Sequence, residues 1–479
     1  MTSADAAPSP QETPKQRRQM PHTFIILFLF IVVMSIATYF VPAGAYNRNI
    51  GEDGRAVVDP TSFHVVESSP VTPMQLLSSI PQGYVDAGWI IALTLCVGAG
   101  FAVVQRIGVI PAAVEFLAVK FRDKGVWVIP ILMLLFSMSD AFIGVNELCI
   151  VYIPIIMPLM LRLRFDSITA CATALCGSAA GFSAAITNPF TIAIGQKISG
   201  LPLYSGWQFR VITYVITLLI GVVYIMRYAK KVQNNPESSS MYEEDKIKRE
   251  KLLAAIEGEE KSGLNKRQQF AGVFAVLVLA GMLFGVLAFG WDMPEMCAMF
   301  LFIGIGAGMV AGLKGNDLCN TLVAGCQDML LGAMIIGIAR GISVVMTQGK
   351  IIDTIVYGLS TVLANMPGEF TVVGMLIAVT LLNFLIPSGS GKAVVLFPIL
   401  APLADVVNVT RQTAVLAYQF GDGFSNILYP TSGYFMACIS IGGVSWQKWV
   451  KFFTPLFLIW TALAAVYLII AQAINFGPF

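Results

Sequence analysis

Three carboxylates stand inside otherwise apolar stretches: Asp140 and Glu147 in SDAFIGVNE, and Asp422 in QFGDGFSN. A charge held at the middle of a bilayer costs about 2.5–3.5 kcal/mol or more, so such residues are kept for a reason. They can balance a cationic solute or take up a coupling proton. They can also pair with Lys392 or Arg340 and lock the bundle. Polar groups cluster around them in four places. The first carries Asp140, Asn146 and Glu147; the second carries Ser183, Thr187, Asn188 and Pro189. The third carries Ser388, Gly389, Ser390, Gly391 and Lys392, and the fourth carries Asp422, Ser425, Asn426, Tyr429, Pro430, Thr431 and Ser432. Proline removes a donor and frees a carbonyl one turn earlier, and glycine lets the chain turn. An unwound segment then offers carbonyls to a cation, while the next half-helix offers N–H groups to an anion. The competing reading is that the prolines only kink packed helices.

These residues need elements that hold them together. Hydrophobic residues make up 56% of the 479, and charged residues only 12%. Soluble domains carry about a quarter charged residues. The solvent of this chain is therefore largely lipid, and the mean hydropathy of +0.75 agrees. The net charge of +2 and the two histidines exclude nucleic-acid binding and histidine-based chemistry as themes. The eight cysteines form no CxxC pair, so they read as small residues at helix contacts. Apolar runs long enough to span a bilayer begin at Thr23 and recur along the chain. Runs 126–163 and 370–403 are too long for one crossing and break at polar tips, which predicts re-entrant hairpins. Runs 167–198 and 411–442 break at prolines, which predicts broken spans.

The expected organisation is a tail (1–20), a first membrane repeat (21–228), a charged linker (229–268), a connecting helix (269–290) and a second, inverted repeat (291–479). The repeats are legible in IVYIPIIMPL (150–159) against VLFPILAPLA (395–404), and in GFS at 181–183 against GFS at 423–425. Stretches 43–83 and 106–124 read as loops, and the linker as a passive tether. Most of the 30 lysines and arginines fall on one side of this scheme, which places the N-terminus in the cytoplasm and the C-terminus outside a bacterial inner membrane. The fold class is an all-α polytopic membrane protein, and the job is secondary transport. Inverted repeats place a substrate site where broken helices meet. GSGK at 389–392 lacks phosphate-loop spacing. An intramembrane hydrolase built on Ser388 and Lys392 is a remote alternative, with no histidine base to serve it.

The stretches PHTFIILFLFIVVMSIATYFVPAGAY (21–46), GSAAGFSAAITNPFTIAIGQKISGLPL (177–203) and GFSNILYPTSGYFMACISIGGVSW (423–446) resemble the YfcC-like branch of the anaerobic C4-dicarboxylate carriers. The resemblance implies scaffold and transport domains, elevator-type movement and a homodimer. It also implies a substrate site at Asn146, Glu147, Thr187, Asn188, Pro189, Ser388, Gly389, Ser390, Asn426, Thr431 and Ser432; the second break adds Tyr429. Asp140, Glu147, Ser183 and Asp422 are the candidates for ion coupling or charge balance. Na⁺ would find oxygen donors near Asn146, Asn188, Ser390 and Asn426; otherwise H⁺ couples, and no other cofactor is expected. Related carriers hold a Ser-Asn-Thr signature at both tips, where this chain has VNE and SGS. Members of the branch are labelled basic amino-acid antiporters. The deep acids favour amino acids, basic ones first; C4-dicarboxylates or other organic anions are the alternative.

Overall fold

The computed structural model describes residues 23–477 apart from residues 51–55, 121–124, 143, 258–263, 290 and 367. The tail expected at 1–20 lies outside the described residues. The first half runs α1 (Thr23–Phe40), α2 (Pro73–Asp86), α3 (Gly88–Arg106), α4 (Val109–Lys120), α5 (Val128–Phe142), α6 (Cys149–Arg162), α7 (Ser167–Ala184), α8 (Ile192–Ile198) and α9 (Trp207–Asn234). The linker carries α10 (Tyr242–Glu257). The second half runs α11 (Lys266–Phe289), α12 (Met293–Ala311), α13 (Gly315–Gln348), α14 (Ile352–Ala364), α15 (Gly368–Leu385), α16 (Gly389–Val406), α17 (Arg411–Ser425), α18 (Gly433–Ile441) and α19 (Trp446–Ala473). Eight helices among the described residues are long and apolar enough to cross a membrane.

Both long runs are helical hairpins, α5–α6 and α15–α16, with turns at the polar tips. Both prolyl breaks interrupt helices, between α7 and α8 and between α17 and α18. The order of long helix, short helix, hairpin, broken helix and long helix thus occurs in each half. Two stretches read as loops contain helices instead. Residues 43–83 hold two small strand pairs, β1 (Gly44–Ala45) with β4 (His64–Val65) and β2 (Arg48–Ile50) with β3 (Ala56–Val58), and then α2. Residues 106–124 hold α4, and α14 is its counterpart in the second half. These helices are too short to span a bilayer, so hydropathy does not reveal them. Packing forms them: α2 lies along α13, α4 beside α6 and α14 beside α15 and α16.

The helices pack in two groups. Helices α1, α2, α3, α11, α12 and α13 form one, and α5–α9 with α15–α19 the other; α18 lies against α13 between them. Without a hydrophobic drive between helices in lipid, close approach depends on small residues. Gly98 of α3 and Gly325 of α13 face each other so closely that a Cβ on either would strike the other's carbonyl oxygen. In the other group, Gly181 of α7 meets the Ser137 carbonyl of α5 in the same way. Every residue of α7 is buried, as expected of a helix wrapped by protein rather than lipid.

The linker is docked rather than loose. Asp245 of α10 is buried and accepts from the Ser167 backbone N–H at 2.7 Å, at the start of α7. Lys248 donates to Ser167 Oγ at 2.7 Å and to the Gly442 carbonyl at 2.8 Å, so one ammonium joins both halves. Glu244 pairs with Lys448 of α19. The charges that made this stretch read as solvated are the groups that hold it down.

Candidate functional site

The first break is set at Ala185, which takes a left-handed backbone with φ of +44° and ends α7. Asn188 then holds the turn that leads into the next half-helix: its Oδ1 accepts from the N–H of Phe190 at 2.8 Å and of Thr191 at 3.2 Å. The freed carbonyl of Ile186 accepts from the buried Arg210 at 3.1 Å, and the same guanidinium holds the carbonyls of Ser205 and Tyr204. In the second break two indoles do this job. Trp449 donates to the Ile427 carbonyl at 2.7 Å and Trp446 to that of Leu428 at 3.0 Å. Unwound backbone at membrane depth survives only where such partners exist.

A cavity of about 400 Å³ lies where the hairpin tips and breaks meet. The first tip contributes Asn146 and Glu147, and the second contributes Ser388, Gly389 and Ser390. The second break contributes Asn426, Thr431, Ser432, Gly433 and Tyr434, and the first contributes Thr191. Helices α16 and α18 present their N-terminal turns here, and the residues just ahead of α6 and α8 line it too, so backbone N–H groups and the positive ends of helix dipoles face the cavity. The other packing group supplies Asp86, Asp292 and Arg340. The acidic and basic side chains of the lining are therefore three carboxylates (Asp86, Glu147, Asp292) and one guanidinium (Arg340).

Several buried polar atoms around this space have no partner among the described residues: the hydroxyls of Thr191, Thr431 and Ser432 and Nε of Arg340. Buried polar groups are normally satisfied, and orphans mark places where a ligand or water completes the bonding.

Of the residues singled out from the sequence, Thr187, Asn188, Pro189, Tyr429, Asp140, Ser183 and Asp422 stand behind this lining. Thr187 ties the break to the first hairpin by donating to the Phe142 carbonyl at 3.3 Å. Asn188 packs against Gly144, which does line the cavity, while Pro189 is exposed. Tyr429 packs edge-on to Phe384, with centroids 5.5 Å apart. Ser183 donates to the Ala179 carbonyl at 2.6 Å and marks the close approach of α7 to Gly423. Asp140 is buried; its Oδ2 accepts from Ser178 at 2.5 Å, and its Oδ1 has no partner among the described residues. Asp422 pairs with Lys392 at 2.7 Å, both fully buried. Removing one member of such a pair costs about 3–5 kcal/mol, because the other is left charged and alone.

Asp86 and Asp292 were not legible as site residues. Asp292 is the N-cap of α12, in a capping box with Glu295, and Asp86 ends α2 with a hydrogen bond from Gln82 at 2.8 Å. Both read locally as ordinary end-of-helix residues. Arg340 was visible only as a charge inside a span.

The family description "C4-dicarboxylate anaerobic carrier" (DcuC) matches residues 20–473. The chain belongs to this family, and is thus a multi-pass membrane transporter. It is 31% identical over 97% of its length to a protein of Escherichia coli (strain K12) called "Putative basic amino acid antiporter YfcC", 99% of which is covered. It is 25% identical over 92% of its length to an uncharacterized protein of Haemophilus influenzae, 95% of which is covered. Among solved structures it is similar to MtrF of Neisseria gonorrhoeae, at 16% identity and a TM-score of 0.43 over 95% of each chain.

Proposed function

We propose that the protein is a secondary active transporter of small carboxylate-bearing solutes, amino acids and basic ones first, working by exchange or ion-coupled uptake. The observation that carries this is the mixed lining of the cavity. Helix N-termini and Arg340 suit a carboxylate, while Asp86, Glu147 and Asp292 suit ammonium or guanidinium groups. A basic amino acid carries both kinds of group, and three acids against one base favour the cationic end. The name of the Escherichia coli relative points the same way. The two halves act as inverted repeats, and the hairpin group moves as an elevator past the α1–α3 and α11–α13 scaffold in a homodimer. Glu147 balances substrate charge, Asp140 and Ser183 belong to the layer behind it that serves coupling, and Asp422 in that layer balances the charge of Lys392. The second reading, C4-dicarboxylate or other organic-anion transport with Na⁺ or H⁺, rests on the same N-termini and on the family description. Hydrolysis is disfavoured: Lys392 is engaged by Asp422, and Ser388 Oγ caps the Gly391 N–H at 3.2 Å.

The test is a thermal-stability screen of the purified protein with arginine, ornithine, lysine, neutral amino acids, succinate and fumarate, each with and without Na⁺. A ligand at a hundred times its Kd adds about 2.7 kcal/mol to apparent stability. Stabilisation by arginine or ornithine is expected. Stabilisation by dicarboxylates alone would assign the carboxylates to an ion or to the fold and establish the second reading.

A further inference from the structure

We propose that the Lys392 ammonium is a tethered cation filling a built ion site in the second half of the chain, so that this site takes no free monovalent cation in the wild-type protein. The site is made of oxygen. Asn383 Oδ1 lies 2.5 Å and Asp422 Oδ1 2.7 Å from Lys392 Nζ. The amide of Asn383 is fixed from its other side. Its Nδ2 donates to Ser425 Oγ at 2.7 Å, Asn426 Oδ1 at 3.0 Å and the Asp422 carbonyl at 3.1 Å. Oδ1 must therefore face the cation. The Tyr418 ring lies 5.6 Å from Nζ, within range of a cation–π contact. Lys392, Asn383, Asp422, Ser425 and Asn426 are all buried.

Asp422 Oδ2 has no partner among the described residues and points at Gly389 on the hairpin tip, where a Cβ would come within 2.9 Å of it. Without the lysine side chain, a carboxylate oxygen and an amide oxygen would face an ammonium-sized space, with the second oxygen of the same carboxylate free to turn toward it. Carboxylate and amide oxygens are the donors that hard cations prefer. The first half is built differently. Aligning Pro154 and Pro158 with Pro398 and Pro402 sets Leu148 opposite Lys392, and Asp140 keeps an unpartnered oxygen. At the place where the second half carries Lys392, the first half has an apolar side chain. This inference holds whichever solute is carried, so its failure and that of the substrate assignment are separable.

The experiment compares thermal unfolding of the full chain in detergent, in NaCl against N-methylglucamine chloride at equal ionic strength. Lys392→Ala and Lys392→Gln are expected to gain a saturable Na⁺-dependent rise in Tm, of several degrees, beyond any response of the wild type. Adding Asp422→Asn should abolish the gain. Identical Na⁺ responses in wild type and a folded lysine variant would overturn the proposal. So would failure of both lysine variants to purify even in Na⁺ while Lys392→Ala/Asp422→Asn purifies, because the vacated carboxylate would then be unable to hold a free ion.

Discussion

Glu147 and Arg340 face the same cavity from different packing groups, and neither makes an ion pair among the described residues. Their charges are available to a solute, which separates them from the Lys392–Asp422 pair that satisfies itself. Glu147→Gln keeps the shape and removes the charge. It is expected to reduce exchange of a basic amino acid in liposomes at least tenfold while leaving Tm within a few degrees of wild type. Unchanged kinetics would remove Glu147 from the site. Arg340→Gln removes a charged donor, and such hydrogen bonds are worth about 1.5–3 kcal/mol. At about 1.4 kcal/mol per decade this predicts a rise in KM of roughly 10- to 100-fold. A change in kcat alone would place Arg340 in movement rather than binding.

Elements bring these residues together through close contacts that tolerate little change. The α3–α13 crossing depends on the facing pair Gly98 and Gly325, with Gly83 of α2 against the backbone of Gly337 and Gly341 further along α13. A methyl at Gly98 would strike both Met329 Cγ and the Gly325 carbonyl, and the backbone carbonyl cannot move aside. Overpacking of this kind costs about 1–3 kcal/mol. Gly98→Ala is therefore expected to lower Tm by several degrees, whereas Gly88→Ala, which meets open space, should not. Equal effects would mean that helix propensity rather than the crossing sets stability. The breaks are held as firmly as the crossings, by Arg210 in one half and by Trp446 and Trp449 in the other.

Across the whole molecule, contacts sort the loops onto two ends. One end joins Phe165 and Ser167 to α10, and α10 in turn to Gly442 and Lys448. The other joins Ser199 to Arg411, Ser205 to Gln412 and Thr410 to Phe476. The strand pairs also sit apart from α10, since Gly44 bonds to Lys350 and Ser69 to Gln348. We expect cysteines at the exposed positions Glu67 and Ser240 to label from opposite sides of a sealed membrane, in a background with the exposed Cys319 changed to Ser. Labelling from the same side would refute the proposed orientation.

Composition determined that the chain lives in lipid, because charge is too sparse to cover a water-facing surface. Proline and glycine marked the hairpins and broken helices, because their backbone effects are local. The polar tips were legible for the same reason, and Asn146, Glu147, Ser388, Ser390, Asn426, Thr431 and Ser432 do line the cavity. What needed the tertiary structure was every relation between distant segments. Asp422 and Lys392 look alike as buried charges, and only their 2.7 Å pairing separates them from Glu147. Asp86 and Asp292 are ordinary helix ends until the packing of α2 on α13 and of α12 on α3 brings them to the cavity that the hairpin tips line. The linker's charges read as solvated until Asp245 and Lys248 meet Ser167 and Gly442. A residue's type is written in the chain, but its partner is set by which helices pack, and that decides whether a buried charge serves the fold or the solute.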